Sequence, residues 1–411
     1  MAASSNAVRR VKWLARSPVG SGSIIGSIGA HDPCRARDYT RAVDSEYGVV
    51  ELLRTLSACP TAPFHEQYVA RRIAGLCRGL GLTVEPDRYG NALVWYRGAA
   101  ADTAPLALNA HMDHPALEVV ADSPLTGRLL GGARSTRGYF ARPVRVRFVV
   151  GETEIPGRIV GLTDDPNQST VMLAAERAVP VGSFGVFDVG PAREGDGLLH
   201  VPAADDLAGC VSIVATLARC VAERIPANVL AVFTRAEEVG LIGATLVARQ
   251  GLIPRDSTVV SLEASRELPG AAIGAGPVIR VGDRQMAFHP AGEALLLRAA
   301  SLVRERREGA LIQRQLMSGG TCEATAYAVA GYVTTGVAIP LGNYHNAGPD
   351  MTIAAEYVSP QDLITAVDVL CAAAEASAHP APADPLAERL NRVANEAADR
   401  LAVSARTLLV D

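Results

Sequence analysis

The stretch AVFTRAEEVGLIGA, residues 231–244, constrains the fold of this chain more than any other. A β-branched and apolar run, Val229 to Phe233, predicts a buried strand. Two adjacent carboxylates, Glu237 and Glu238, follow it, and then a glycine-punctuated turn into a helix. Open α/β sheets bind their ligands beyond the carboxyl ends of the strands. Neighbouring side chains leave the backbone in different directions, so one acid can hold a metal while the other stands free as a base. Taken alone, the pair reads more readily as the solvated opening of a helix, where the dipole favours acids. The rest of the chain changes that balance.

At 411 residues the chain has room for two or three domains. Hydrophobic residues make up 49%, enough for a large core, and they fall in Val/Leu/Ile runs among glycine and alanine, which suits an α/β protein. A net charge of −4 gives no surface for nucleic acid or an anionic membrane. No apolar run approaches the ~20 residues that span a bilayer. The seven cysteines (34, 59, 77, 210, 220, 322, 371) show no paired spacing. That argues against a disulfide framework and a thiolate zinc site, and for reduced thiols in a cytoplasmic protein.

Residues 1–45 carry Arg9, Arg10, Lys12 and Arg16 ahead of the first acid, Asp32. This composition is similar to a transit peptide. Nothing else in the chain asks for targeting, so the expectation is a disordered tail or an upstream start codon. A catalytic domain is expected over 46–120 and 195–377. Val69, Ile73, Leu76 and Leu80 share one helical face; His65, just before them, reads as surface. Between about 118 and 195 short strand-like runs alternate with turns, so residues 121–194 are expected to form an inserted small β domain with no chemistry of its own. Residues 378–411 read as a Pro-rich linker and a terminal helix.

Other predicted strands end as the first does. Pro105–Ala110 runs into His111-Met-Asp113, where a carboxylate two residues on can hydrogen-bond the imidazole. His114 is left outside the ligand set. Asp205 and Asp206 open a helix, a place where aspartate also serves as a cap. Thr258–Leu262 ends at Glu263, and Val333–Ile339 leads to His345. Together these ends supply His111, Asp205, Glu237, Glu238, Glu263 and His345. Oxygen and imidazole donors without thiolates suit hydrolytic zinc, cobalt or manganese. Five of the six make a two-metal site if one carboxylate bridges, and the sixth is left to move protons.

From about residue 50 to 377 the sequence resembles the co-catalytic two-zinc aminopeptidases of the tetrahedral (glutamyl) aminopeptidase family. Residues 233–244, FTRAEEVGLIGA, carry the most specific match; AHMD (110–113), ADDLAGC (204–210), GGT (319–321) and the 340–345 segment carry the others. The resemblance implies a mixed-sheet α/β zinc-peptidase domain flanked by helices, with a PDZ-like inserted domain that makes dimers. It implies that His111, Asp205 and Glu263 hold one metal and Asp205, Glu238 and His345 the other. Asp113 then orients His111, Glu237 is the general base, and the Asp205–Asp206 peptide is cis.

The chain also departs from that family. Glu263 stands where aspartate is usual, Leu207 replaces an arginine, Cys322-Glu323 replaces Asp-Ala, and Gly342-Asn-Tyr344 replaces an arginine-containing run. The ligands survive, while substrate preference and the large assembly are left open. The expected activity is removal of N-terminal residues from peptides, by a homo-oligomer that binds neither nucleic acid nor membrane. The alternatives are a deacylase or dipeptidase on small amides, and a non-catalytic binding protein on the same fold.

Overall fold

The computed structural model describes residues 46–134, 137–163, 169–379 and 385–405. The expected tail, residues 1–45, and most of the linker lie outside them.

Helices α1 (Glu46–Ser57) and α2 (Gln67–Gly79) precede a hairpin, β1 (Val84–Pro86) and β2 (Ala92–Arg97), and the central strand β3 (Leu106–His111). The chain then leaves the sheet. Strands β4 (Ala116–Asp122), β5 (Leu125–Leu130), β6 (Val144–Val150), β7 (Thr153–Leu162), β8 (Thr170–Ala175) and β9 (Phe184–Phe187) close into a barrel in the order β4-β5-β8-β7-β6-β9. Leu117, Phe140, Phe148, Ile159 and Val171 fill it. The first barrel strand straddles position 121, where the sequence places the start of the insertion.

The chain returns through β10 (Arg193–Gly195) and β11 (Leu198–Val201), then α3 (Leu207–Glu223), β12 (Asn228–Thr234), α4 (Ile242–Gln250), β13 (Thr258–Arg266) and β14 (Val278–Asp283). It finishes with α5 (Pro290–Arg306), β15 (Gln313–Met317), α6 (Glu323–Val329), β16 (Val333–Gly342), β17 (Glu356–Val358), α7 (Pro360–Ser377) and α8 (Pro385–Ala405). Strands β15 and β17 were not expected. The first is largely polar, and the second has only three residues.

The strands outside the barrel form one mixed sheet. Its centre is parallel: β12 pairs with β3, β3 with β13, and β13 with β16. Both faces of that centre are covered, which is why its strands are continuous apolar runs. On β3, Leu106, Leu108 and Ala110 pack with α1, α2, α3, α5 and α7. Ala107 points the other way, towards Val247 of α4 and Tyr327 of α6. The mixed sheet flanked by helices, with an added small barrel, is the fold class read from the sequence.

His65 departs from expectation. It is partly buried, stacks on Phe184 of the barrel with ring centroids 4.8 Å apart, and lies 3.4 Å from Glu118. Helix α8 is amphipathic, and its Leu386, Leu390, Val393 and Leu401 are exposed.

Candidate metal centre

Because the parallel strands share one direction, their carboxyl ends lie along one edge of the sheet. His111 is the last residue of β3 and pairs with Thr234, the last of β12. Glu237 and Glu238 follow β12 at once. Glu263 projects from β13, whose pairing with β16 sets it opposite Ala338. His345 follows β16, and Asp205 closes the segment before α3.

These side chains meet. His111 Nε2 lies 3.3 Å from Asp205 Oδ1, 3.7 Å from Glu263 Oε1 and 3.8 Å from Glu237 Oε2. His345 Nε2 lies 3.4 Å from both Asp205 Oδ2 and Glu238 Oε1. Two groups of metal-compatible donors result, His111–Asp205–Glu263 and Asp205–Glu238–His345, with the ligand atoms of each within 4.8 Å of one another. Asp205 belongs to both.

The donor atoms have no protein partner where one would be needed. His111 Nε2, Asp205 Oδ1, Glu238 Oε1 and Glu263 Oε2 are buried and make no hydrogen bond of acceptable geometry, although the first two lie close. Buried polar atoms are rarely left so. Inward-facing orphans of carboxylate and imidazole type fit divalent cations. The electrostatics agree. Burial pushes the Glu237 carboxyl well above its ordinary range, and neighbouring acids add to the rise. Burial also lifts Glu263 to about 7. Burial works against charging His345, but Glu238 and Asp205 outweigh it and raise its basicity.

Backbone hydrogen bonds set the frame. Asp113 Oδ1 accepts the N–H of Glu237 at 2.9 Å, and Oδ2 that of Glu238 at 3.1 Å. Its side chain also lies 3.5 Å from His111 Nδ1, which sits nearer, at 3.1 Å, to the Asp113 carbonyl oxygen. Asp206 caps α3 by accepting from Gly209, and accepts from Ala264 beside Glu263. The Asp205–Asp206 peptide is cis.

Several residues of the site carry no sequence signal. Glu356 is fully buried; its Oε2 accepts from the Ala204 and Asp205 amides, and its Oε1 from the His345 amide. His114 touches the Asp205 carbonyl and Asn346. Glu66 accepts from the Ala236 amide and from the Arg235 guanidinium, which fixes the turn before Glu237. The barrel contributes too, contrary to expectation. The Gly132 N–H donates to Glu238 Oε2 at 3.2 Å. A Cβ on Gly132 would overlap the His345 ring, and one on Gly131 would press against Glu238. A glycine pair is itself a sign of close backbone approach.

The donor set and the comparisons with known proteins agree: the protein is a metal-dependent peptide hydrolase, an aminopeptidase. Residues 169–373 match the M42 glutamyl aminopeptidase model. No curated protein matches the sequence. Solved structures share the fold. The TET1 peptidase of Pyrococcus horikoshii, described as assembling into a tetrahedron or a large octahedral shell, is 20% identical at a TM-score of 0.66, over 79% of this chain and 99% of its own. Aminopeptidase APDkam598 from the archaeon Desulfurococcus kamchatkensis is 23% identical at 0.64, over 80% and 95%. A TET aminopeptidase from a marine sediment Thaumarchaeota archaeon is 20% identical at 0.67, over 80% and 96%.

Proposed function

We propose that the two overlapping clusters bind a pair of divalent ions, zinc with cobalt or manganese as substitutes, and that the protein uses them to release N-terminal residues from peptides. His111, Asp205 and Glu263 hold one ion and Asp205, Glu238 and His345 the other. The supporting observation is the set of orphaned donor atoms that face one another across Asp205. When bound, such ions acidify a water molecule and polarise a carbonyl. The chain's own residues do the rest. Glu237, the acid in neither cluster, takes the proton from the attacking water and passes it to the leaving amine. Asp113 fixes His111 and holds the backbone from which Glu237 and Glu238 project.

We assign residues 46–120 and 195–377 to the catalytic domain, residues 121–194 to an inserted dimerisation domain, and 378–411 to a linker with its terminal helix. The barrel's separate core supports its assignment. A homo-oligomer built through the barrel accords with the assembling TET1 relative. We place the protein in the cytoplasm, which accords with the free thiols at Cys59, Cys77, Cys210, Cys220, Cys322 and Cys371. No helix among the described residues is long and apolar enough to cross a membrane.

Elemental analysis paired with aminoacyl-nitroanilide hydrolysis, with and without chelator, tests the reading. About two equivalents of metal and chelator-sensitive release support it. Metal without release directs attention to dipeptide and acyl-amide substrates. Folded protein that takes up none of the three metals and hydrolyses nothing overturns it. Glu237→Gln should keep metal and lose turnover; surviving turnover would show that Glu237 is not the base.

A further inference from the structure

The terminal helix α8 runs for 21 residues, Pro385–Ala405, about 32 Å at the usual rise. None of its residues from 386 to 405 is buried, and none joins a buried core. The helix is nonetheless two-sided. Leu386, Leu390, Val393, Ala397 and Leu401 follow one another at spacings of four, three, four and four residues, one stripe along its length. Leu390, Val393 and Leu401 are each more than half exposed. In proteins, most helical stability comes from packing such a face.

The charges and the order of the residues say what covers it. The polar side carries Glu388, Glu396 and Asp399 against Arg389, Arg392 and Arg400, three of each sign. A lipid surface selects a basic polar face opposite large apolar residues, and nucleic acid selects an excess of positive charge. Neither fits. The stripe, however, is nearly its own mirror image about the midpoint between Val393 and Ala394. Two copies laid antiparallel set Leu386 against the partner's Leu401, Leu390 against the partner's Ala397 and Val393 against the partner's Ala394, so large residues meet small ones in the middle of the seam.

The two flanks of the stripe differ. At about 100° per residue, one flank carries Ala387, Ala394 and Ala398, and the other Arg389, Glu396 and Arg400. A parallel pair would turn each charged flank towards an alanine flank. An antiparallel pair brings the two charged flanks together, and charges flanking a helical seam set partner choice and orientation. Arg389 then lies within about two residues of the level of the partner's Glu396, and symmetry makes the contact twice. Glu396 also stands four residues before Arg400 of its own helix, a spacing that favours an ion pair, so each carboxylate falls between two guanidinium groups.

We propose that α8 is an assembly helix that pairs antiparallel with α8 of a second copy of this chain, through the Leu/Val/Ala stripe and two Arg389–Glu396 contacts. Sedimentation equilibrium of the full chain tests this. The wild type should show an association step that Leu390→Lys with Val393→Lys removes, with the thermal midpoint unchanged. Arg389→Glu and Glu396→Arg should each weaken that step about tenfold, since each turns two attractive pairs repulsive. An equimolar mixture of the two single variants should restore it, because every acid at these positions then faces an arginine. No α8 residue lies in the barrel, so dimers built there persist in every variant and the step is read above them. A step lost with the stripe but indifferent to both reversals overturns the antiparallel pairing. A mass that none of the changes alters overturns the proposal; co-sedimentation with phosphatidylserine vesicles would then assign the stripe to lipid, and no co-sedimentation would assign it to the chain's own body.

Discussion

Gly132 of the barrel and Glu238 of the sheet are joined by a hydrogen bond from backbone N–H to carboxylate, 3.2 Å long. The same glycine leaves no space between its Cα and the His345 ring. One of the two donor groups is thus completed by a segment from outside the sheet. Gly132→Ala should displace Glu238 and His345, lower bound metal from about two equivalents towards one, and cut kcat at least tenfold. Elemental analysis checks the first and steady-state kinetics the second. An alanine variant with full metal content and wild-type kcat would show that the contact is incidental.

Asp113 uses separate oxygens for the amides of Glu237 and Glu238. An asparagine keeps one acceptor and turns a donor towards the other N–H. Support groups of this kind typically cost 10–100-fold in affinity or activity when changed. Asp113→Asn is therefore expected to lower kcat/KM by about that factor and, because one buried amide loses its acceptor, to cost about 1–3 kcal/mol of stability, read as a lower thermal midpoint.

Glu356 ties two ligand-bearing loops together through three backbone amides. Glu356→Ala leaves all three without their acceptor in a buried region. Each such loss costs about 1–3 kcal/mol, so destabilisation of about 3 kcal/mol or more is expected, read as a shift in urea midpoint with an unchanged slope. Glu356→Gln, which keeps one carbonyl oxygen, should lose less.

Burial lifts the Glu263 carboxyl to about 7 and pushes Glu237, Asp206 and Glu356 upward as well. A carboxyl raised above its unfolded value of about 4.3 stabilises the fold while protonated, and that contribution is lost as pH rises through the folded value. The metal-free protein should therefore weaken from about pH 4.3 to about pH 7. Metal binds the deprotonated groups, so its stabilising effect should grow over the same range. Melting temperatures with and without chelator at about pH 5 and about pH 7.5 test this. A gap that fails to widen with pH contradicts it.

The sequence exposes those site residues that end strong apolar runs. His111, Glu237, Glu238 and Glu263 each close or follow a buried strand, and the strand's hydrophobicity marks the place. Asp205 and Asp206 were legible as a pair, and the family resemblance gave the ligand role to Asp205; that Asp206 caps the helix and accepts from Ala264 appears only in the fold. Glu356 and Glu66 were not legible. Each acts through partners distant in sequence, and a single acid in a short segment has no period or spacing to announce it. His65 failed for the same reason. What buries it is a barrel ring more than a hundred residues further on.

The parallel ladder of β12, β3, β13 and β16 makes the donor array a ruler. Neighbouring strands stand about 4.8 Å apart, and hydrogen-bonded register fixes how far each reaches. The pitch of the site is therefore set by the backbone of the sheet, and its side chains adjust only within one interval. Glu263, longer by a methylene than the aspartate usual at its place, is such an adjustment. Loops and barrel can diverge to suit new substrates while the spacing between the two donor groups stays as it is.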